Sequence, residues 1–249
     1  EKLAEEHLQL TLSVSLHAPN DALRSSMMPV NDAYDVHTLI RACRSYQKMT
    51  GRRISFEYSM VKDVNDSEKE ADELAELGIT QEIHSLEYAR QLESRLQGSG
   101  RTVNVHLKLD TGMTRIGFFA YGEALRYEDL LQAARLPHLH TEGVFMHFSA
   151  ADSLAPEDRD YPRLQYARFS ELLSRLKADG VEPEIRHCCN SGAAILYPEY
   201  ALDMVRPGLL FTGNYTSDSV SRDRIRLQPC VKLKARHGRT GEWAREGSV

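Results

Sequence analysis

The sequence predicts an α/β fold: a parallel sheet with helical crossovers, closed or nearly closed into a barrel. Short apolar runs rich in β-branched residues alternate with amphipathic stretches, giving about seven βα repeats, mostly roughly 25–40 residues apart. The runs read as apolar throughout, as strands become when helices cover both faces of a sheet. Neither GxGxxG nor GxxxxGK[ST] occurs, so an open, doubly wound nucleotide-binding sheet is the second choice.

The elements follow in order. "LTLSVSLHA" (10–18) is a buried strand. "HTLIRACRSYQKM" (37–49) is a helix that places Leu39, Ile40, Cys43, Tyr46 and Gln47 near one face. "RISFEYSMV" (53–61) is the second strand. "SEKEADELAEL" (67–77) is a helix with Ser67 as N-cap and Glu70 at the capping-box position. A weaker strand, "ITQEIHS" (79–85), leads into helix "LEYARQLESRLQ" (86–97). Then come strand "VNVHLKLD" (103–110), a helix around 122–135, strand "TEGVFMHF" (141–148) and a long helix near 161–178. Strand "EIRHCCN" (184–190), a short helix and strand "ALDMVRPGLLFTG" (201–213) complete the series.

A chain of 249 residues, 41% hydrophobic and 27% charged, is long enough for a substantial core. The net charge of -5 gives no electrostatic case for a general nucleic-acid binder. No apolar run approaches the ~20 residues that span a bilayer. The N-terminus lacks the basic start and apolar core of a signal peptide, so a cytoplasmic location is expected. Cys43, Cys188, Cys189 and Cys230 form no CxxC and no zinc or iron–sulfur spacing, and are expected as reduced thiols. His187 beside the cysteine pair has no second ligand pair in sequence, so no metal site is expected.

In parallel barrels the chemistry gathers at the C-terminal ends of the strands. Those ends carry His17, Lys108, Asp110, Arg115, His147, Asn190, Ser191 and Arg206. Ser191 opens a helix, where free N–H groups and the helix dipole favour a phosphate. Gly208 after Arg206 lets backbone approach an anion. Each residue also has a plainer reading. Asp110-Thr111-Gly112 is good turn chemistry, and Ser191 an ordinary helix cap. A strand-end histidine such as His147 is often a satisfied core residue, and Arg206 could be a surface charge on a buried stem.

From about Ile79 to Arg236 the chain resembles the N-terminal barrel domain of alanine racemase, a TIM-barrel-related, pyridoxal phosphate-dependent enzyme. The blocks that carry the resemblance are "VHLKLDTGMTRIGF" (105–118), "EGVFMHFSAAD" (142–152), "HCCNSGA" (187–193), "DMVRPGLLFTG" (203–213) and "QPCVKLKAR" (228–236), in the family's order. The resemblance implies that Ser191, Gly208 and Leu209, next to Asn190, hold the cofactor phosphate. Arg206 would face the pyridine nitrogen, with His147 near the ring and supporting Arg206. Arg115 would lie near the substrate carboxylate, and Lys108 would be a lysine open to carbamylation that orients Arg115. It also implies a homodimer and a small amino-acid substrate.

Residues 1 to about 77 resemble instead an internal slice of the radical-SAM adenine methyltransferases that modify ribosomal RNA. "LSVSLHAPNDALRSSMMPVNDAYDV" (12–36), "RACRSYQKMTGRRISFEYSMVKDVNDS" (41–67) and "ADELAEL" (71–77) carry this likeness. It implies that Ser15, Leu16 and His17 line an S-adenosylmethionine site. The CxxxCxxC set of that family is absent, so S-adenosylmethionine and a 4Fe-4S cluster are not expected as cofactors. The expected organisation is therefore a methyltransferase-like fragment over 1–78, a racemase-like portion over 79–236 and an off-pattern tail over 237–249, forming an incomplete or hybrid barrel. The racemase's Schiff-base lysine motif, of the "VKA-x-AYGHG" kind, and its C-terminal tyrosine are not found, and Lys62 lies in the methyltransferase pattern. The reading is a racemase-like barrel with impaired or no catalysis, binding its cofactor non-covalently if at all and dimerising weakly. The alternatives are an RNA methyltransferase fragment and a recombined, non-enzymatic product.

Overall fold

The computed structural model describes residues 2–5, 12–59, 61, 63–65, 67–153, 155–156, 158–218, 220 and 224–229. Lys62, Cys230, most of the 228–236 block and the 237–249 tail lie outside them. All ladders are parallel. Strand β1 (Leu12–Ser15) pairs with β2 (Ile54–Glu57) in a sheet of two, with Leu12 opposite Ile54. The larger sheet runs β3 (Gln81–Ile83), β4 (Val103–Asp110), β6 (Leu139–Phe145), β7 (Ile185–His187), and the short β5 (Phe118–Phe119) pairs with the end of β4. Among the described residues no ladder joins β2 to β3, so the ring of hydrogen bonds is not closed.

The helices are α1 (Lys2–Glu5), α2 (Asp21–Met27), α3 (Val36–Thr50), α4 (Glu68–Glu76), α5 (Leu86–Leu96), α6 (Tyr127–Ala134), α7 (Tyr161–Ala178) and α8 (Ser191–Leu196). Helix α3 starts where Asp35 accepts a hydrogen bond from Thr38 N–H at 2.7 Å and stops at Gly51, whose φ of 67° suits glycine. Its buried residues Val36, Ile40, Cys43 and Tyr46 recur at the helical spacing, while Gln47, expected on that face, is exposed. Along α7 the same spacing buries Phe169, Leu172 and Leu176.

The core divides as the sheets do. Leu16, Val36, Ile40 and Leu77 form a small cluster with Phe56, Tyr58, Leu74 and Ile79 packed on it. The main core gathers Val105, Leu107 and Leu109 of β4, Val144 of β6, and the inner faces of α5, α6 and α7. Side-chain bonds link the two parts: Arg53 is paired with Glu142 at 3.2 Å, and Arg101 with Glu76 at 3.0 Å.

Several expectations are corrected. Residues 201–213 form no strand. Met204 makes a single bridge to His187, and Leu209–Thr212 is a 3-10 helix. Pro207 has no N–H to give a ladder, which ends the extended run after Arg206. The Ser67 capping box does not form; the Ser67 hydroxyl bonds the Glu70 carboxylate instead of a backbone N–H. Asn20 starts α2, its side chain accepting from Leu23 N–H at 3.0 Å. The helix around 122–135 is a 3-10 turn (Gly122–Ala124) followed by α6.

Candidate functional site

β4 sets out the site in alternation. Val105, Leu107 and Leu109 face the helices, and His106, Lys108 and Asp110 share the opposite face. All six are buried. Asp110 Oδ1 accepts from Gly112 N–H at 2.9 Å and Thr114 N–H at 3.0 Å, which folds back the loop that carries Arg115. Gly112 and Gly117 in this loop have φ of 129° and 125°, a region that side chains disfavour.

Lys108 is 3% exposed and donates to the carbonyl of Leu109 at 2.8 Å. Burial lowers its pKa to about 8, with the charges of Arg206 and Arg115 adding to the effect against the opposing pull of Glu82 and Asp110. His147 is held neutral, its pKa lowered to about 4 by burial and then by Arg206, Arg115 and Lys108. Lys108, Arg115, His147 and Arg206 therefore lie within electrostatic reach of one another, a concentration of positive charge that favours an anion.

Arg206 is brought in by the segment that runs beside β7. Its N–H donates to the carbonyl of Cys189 at 2.9 Å. Its guanidinium donates to the carbonyl of Met146 at 2.6 Å and to the Nδ1 of His187, over the Phe145 ring at 5.1 Å. Burial lowers its pKa to about 10, so it stays charged at neutral pH. The resemblance pointed to His147 as the support of Arg206; the structure places His187 there, stacked on Phe145 at 4.7 Å. His147 instead stands 3.5 Å from the Nδ2 of Asn190.

Asn190, not Ser191, caps α8, accepting from Ala193 N–H at 3.0 Å while donating to the carbonyl of Phe148 at 3.2 Å. Ser191 is the first helical residue, 5% exposed, and among the described residues no hydrogen bond engages its hydroxyl. Gly208 and Leu209 are exposed and follow directly on the segment held against β7. A Cβ added at Gly208 would meet nothing within 4 Å, so its backbone is open to a ligand.

The sequence-predicted set thus converges on one end of the larger sheet. Ser15, Leu16 and His17 do not join it. Leu16 is fully buried in the smaller core, and the Ser15 hydroxyl donates to Glu57 at 3.4 Å. His17 has a φ of 56° and accepts from Ser59 N–H at 3.1 Å. Cys188 and Cys189 are fully buried; a bond to Cys189 and burial push the Cys188 thiol up, and it contacts the carbonyl of Tyr200 at 3.1 Å. Among the described residues no group of three or more His, Cys, Asp or Glu is placed to hold a metal ion, and no helix is long and apolar enough to cross a membrane.

Four participants escaped the sequence reading: His106, Glu142, Phe145 and His187. The polar-apolar alternation of "VHLKLD" was the signal for His106, and the strand position two residues before Arg206's partner Cys189 the signal for His187.

A sequence model of the alanine racemase N-terminal domain matches residues 58–216. The alanine racemase of Desulforamulus reducens is 39% identical over 161 residues, 65% of this chain and 42% of that protein. The alanine racemase of Carboxydothermus hydrogenoformans is 40% identical over 168 residues, 68% of this chain and 44% of that protein. The chain thus spans less than half the length of these relatives. Among solved structures, alanine racemase of Clostridium difficile 630 superposes with a TM-score of 0.63 at 24% identity, covering 92% of this chain and 59% of that one. Histidine racemase from Leuconostoc mesenteroides subsp. sake gives 0.60 at 24% identity, over 92% and 60%. At such identities the likeness establishes the fold, TIM-barrel-related, and its coverage reaches into the N-terminal segment.

Proposed function

Because the chain belongs to the alanine racemase N-terminal domain family, we propose that its site binds pyridoxal phosphate and a small amino acid. The observation that carries this is the convergence of Lys108, Arg115 and Arg206 with the disengaged hydroxyl of Ser191 and the open backbone of Gly208. The donor set fits the group. Ser191, Gly208 and Leu209, beside Asn190, suit a phosphate, and Arg206, a donor that keeps its proton, suits a ring nitrogen that stays unprotonated.

When bound, the cofactor supplies an electron-accepting ring beside the Cα of an amino acid. Arg206 orients that ring and limits its electron demand. Arg115 receives the substrate carboxylate. Lys108, with a pKa near 8, keeps about a tenth of its amine neutral at pH 7, the form that carbamylation needs. His147, neutral at that pH, adds no further positive charge. We propose interconversion of L- and D-alanine as the ancestral reaction and impaired turnover in this chain, since the motif for a covalent lysine does not occur in its sequence. A cytoplasmic location and weak homodimerisation belong to the same proposal. The segments 1–78 and 79–236 are proposed to differ in descent, the first from a radical-SAM methyltransferase, on the strength of their separate motifs.

Titration of the full chain with pyridoxal phosphate, followed by borohydride reduction and peptide mass mapping, tests the reading. Reversible uptake that inorganic phosphate displaces, with no lysine adduct, is expected. No uptake at millimolar cofactor would sink the binding reading, and a single mapped lysine adduct would overturn the non-covalent part.

A further inference from the structure

Behind Arg206 a file of polar side chains crosses the larger sheet and ends on the N-terminal segment. Arg206 lies against His187 Nδ1. His187 Nε2 is 2.8 Å from His106 Nδ1, and His106 Nε2 is 3.1 Å from Glu142. Glu142 is gripped by both terminal nitrogens of Arg53, at 3.2 and 3.4 Å, with the Thr80 hydroxyl at 3.3 Å. Arg53 stands just before β2.

The direction of every bond follows from its ends. Arginine only donates, so His187 Nδ1 must accept and its proton sits on Nε2. That N–H donates to His106 Nδ1, which puts the His106 proton on Nε2, donating to Glu142. A carboxylate at the far end completes the series, because it only accepts when ionised. The other charges agree. Burial lowers the pKa of both imidazoles, that of His187 to about 2, so neither becomes a double donor near pH 7. Burial would raise Glu142, but Arg53 and His106 outweigh it and hold it below the ordinary range. The backbone makes room: a Cβ at position 143 would stand 2.7 Å from Cε1 and Nε2 of His106, a space that Gly143 leaves to the ring.

We propose that Arg53 and Glu142 are positioning residues for Arg206, so that the N-terminal segment sets the orientation of the guanidinium that the cofactor ring meets. This rests on the cofactor reading for its last step alone. Arg53 fixes the Glu142 carboxylate, Glu142 fixes the proton of His106, and the two rings present a lone pair to Arg206. Loss of Arg53 frees the carboxylate to turn toward water, and the far end of the file loses its acceptor.

The test uses the full chain and two readouts. Nitrogen-15 imidazole spectra report ring tautomers without cofactor, and titration reports pyridoxal phosphate affinity. In the unaltered chain at pH 7, both His106 and His187 are expected as Nε2–H. Arg53→Ala is expected to raise the Nδ1–H population of His106 and weaken cofactor binding about threefold, the size of a partly exposed ion pair. Arg53→Lys restores both in part. Glu142→Gln keeps the tautomers, because its carbonyl still accepts, and is expected to keep most of the cofactor affinity with them. An Nδ1–H ring in the unaltered chain overturns the proposal, as does an Arg53→Ala variant in which either the tautomers or the affinity stay unchanged. A chain that binds no cofactor sinks the binding reading instead, while the ring spectra still decide the file itself.

Discussion

Lys108→Met is expected to make the protein more stable at pH 7 and less stable at pH 10. Burial, with the charges of Arg206 and Arg115 adding to it, lowers the Lys108 pKa from 10.5 to about 8. A change of that size is on the order of 3 kcal/mol against the ammonium form. The pKa is lower folded than unfolded. Below about pH 8 both states hold the proton, and the folded state carries the whole cost. Between about 8 and 10.5 only the unfolded state holds it, so stability rises with pH across that window. Methionine has a similar length and no charge. It removes the cost and forfeits the 2.8 Å bond to the carbonyl of Leu109, worth about 1 kcal/mol.

The variant should therefore gain about 2 kcal/mol at pH 7, a rise of roughly 4–8 °C in melting temperature for a chain of this size. At pH 10 the cost has largely gone from the parent and the variant should trail it. Guanidinium unfolding of both proteins between pH 7 and 10, in buffer free of carbon dioxide, measures the difference. A variant that is less stable at pH 7, or a difference that does not change with pH, would refute the electrostatic account of this lysine. Anion binding should weaken in the same variant, the usual exchange of function for stability at a charged site.

Ser191→Ala should weaken pyridoxal phosphate binding about tenfold, the worth of a hydrogen bond to a charged group, and leave the melting temperature unchanged, since no bond within the chain engages the hydroxyl among the described residues. Gly143→Ala should cost about 1–3 kcal/mol through overpacking against the His106 ring, 2.7 Å from the added carbon, and chemical denaturation checks it. Leu107→Ala, at a fully buried site in the middle of β4, should cost about 3 kcal/mol with an unchanged denaturant slope.

The strands and helices that hold a strong period were legible, and β4 and α7 fall where the pattern put them. Residues 201–213 were misread because an apolar composition hid the effect of Pro207, and composition does not report a missing donor. In the site, Lys108, Arg115, His147 and Arg206 lie within electrostatic reach, because Lys108 is near the end of β4, Arg115 and His147 follow β4 and β6, and Arg206 lies on the segment bridged to β7. His187 was read only as a neighbour of two cysteines. Its partner Arg206 is 19 residues away in sequence, and their contact depends on the segment around Met204 lying beside β7, which no local pattern records. His106 was within reach: three polar residues alternating with three apolar ones in "VHLKLD" describe a strand with a polar inner face, not a uniformly apolar one.

The break between β2 and β3 bears on how the N-terminal segment serves this barrel. A parallel sheet transmits order between neighbouring strands through its ladder, and here no ladder crosses from β2 to β3 among the described residues. What crosses is side chains: Arg53 to Glu142, Arg101 to Glu76 at 3.0 Å, and Gln81 to the carbonyl of Ala71 at 3.1 Å. Such links need only a charge or a donor at the right height, not a matched register, so a βα unit of different sequence can supply them. The Glu142 end is the demanding one. Its carboxylate already receives His106 and Thr80, and its side chain is mostly buried, 13% exposed. A buried carboxylate without a cation is costly, so the segment that fills this place must bring an arginine or lysine to it whatever else it brings. Arg53 meets that condition with both of its terminal nitrogens.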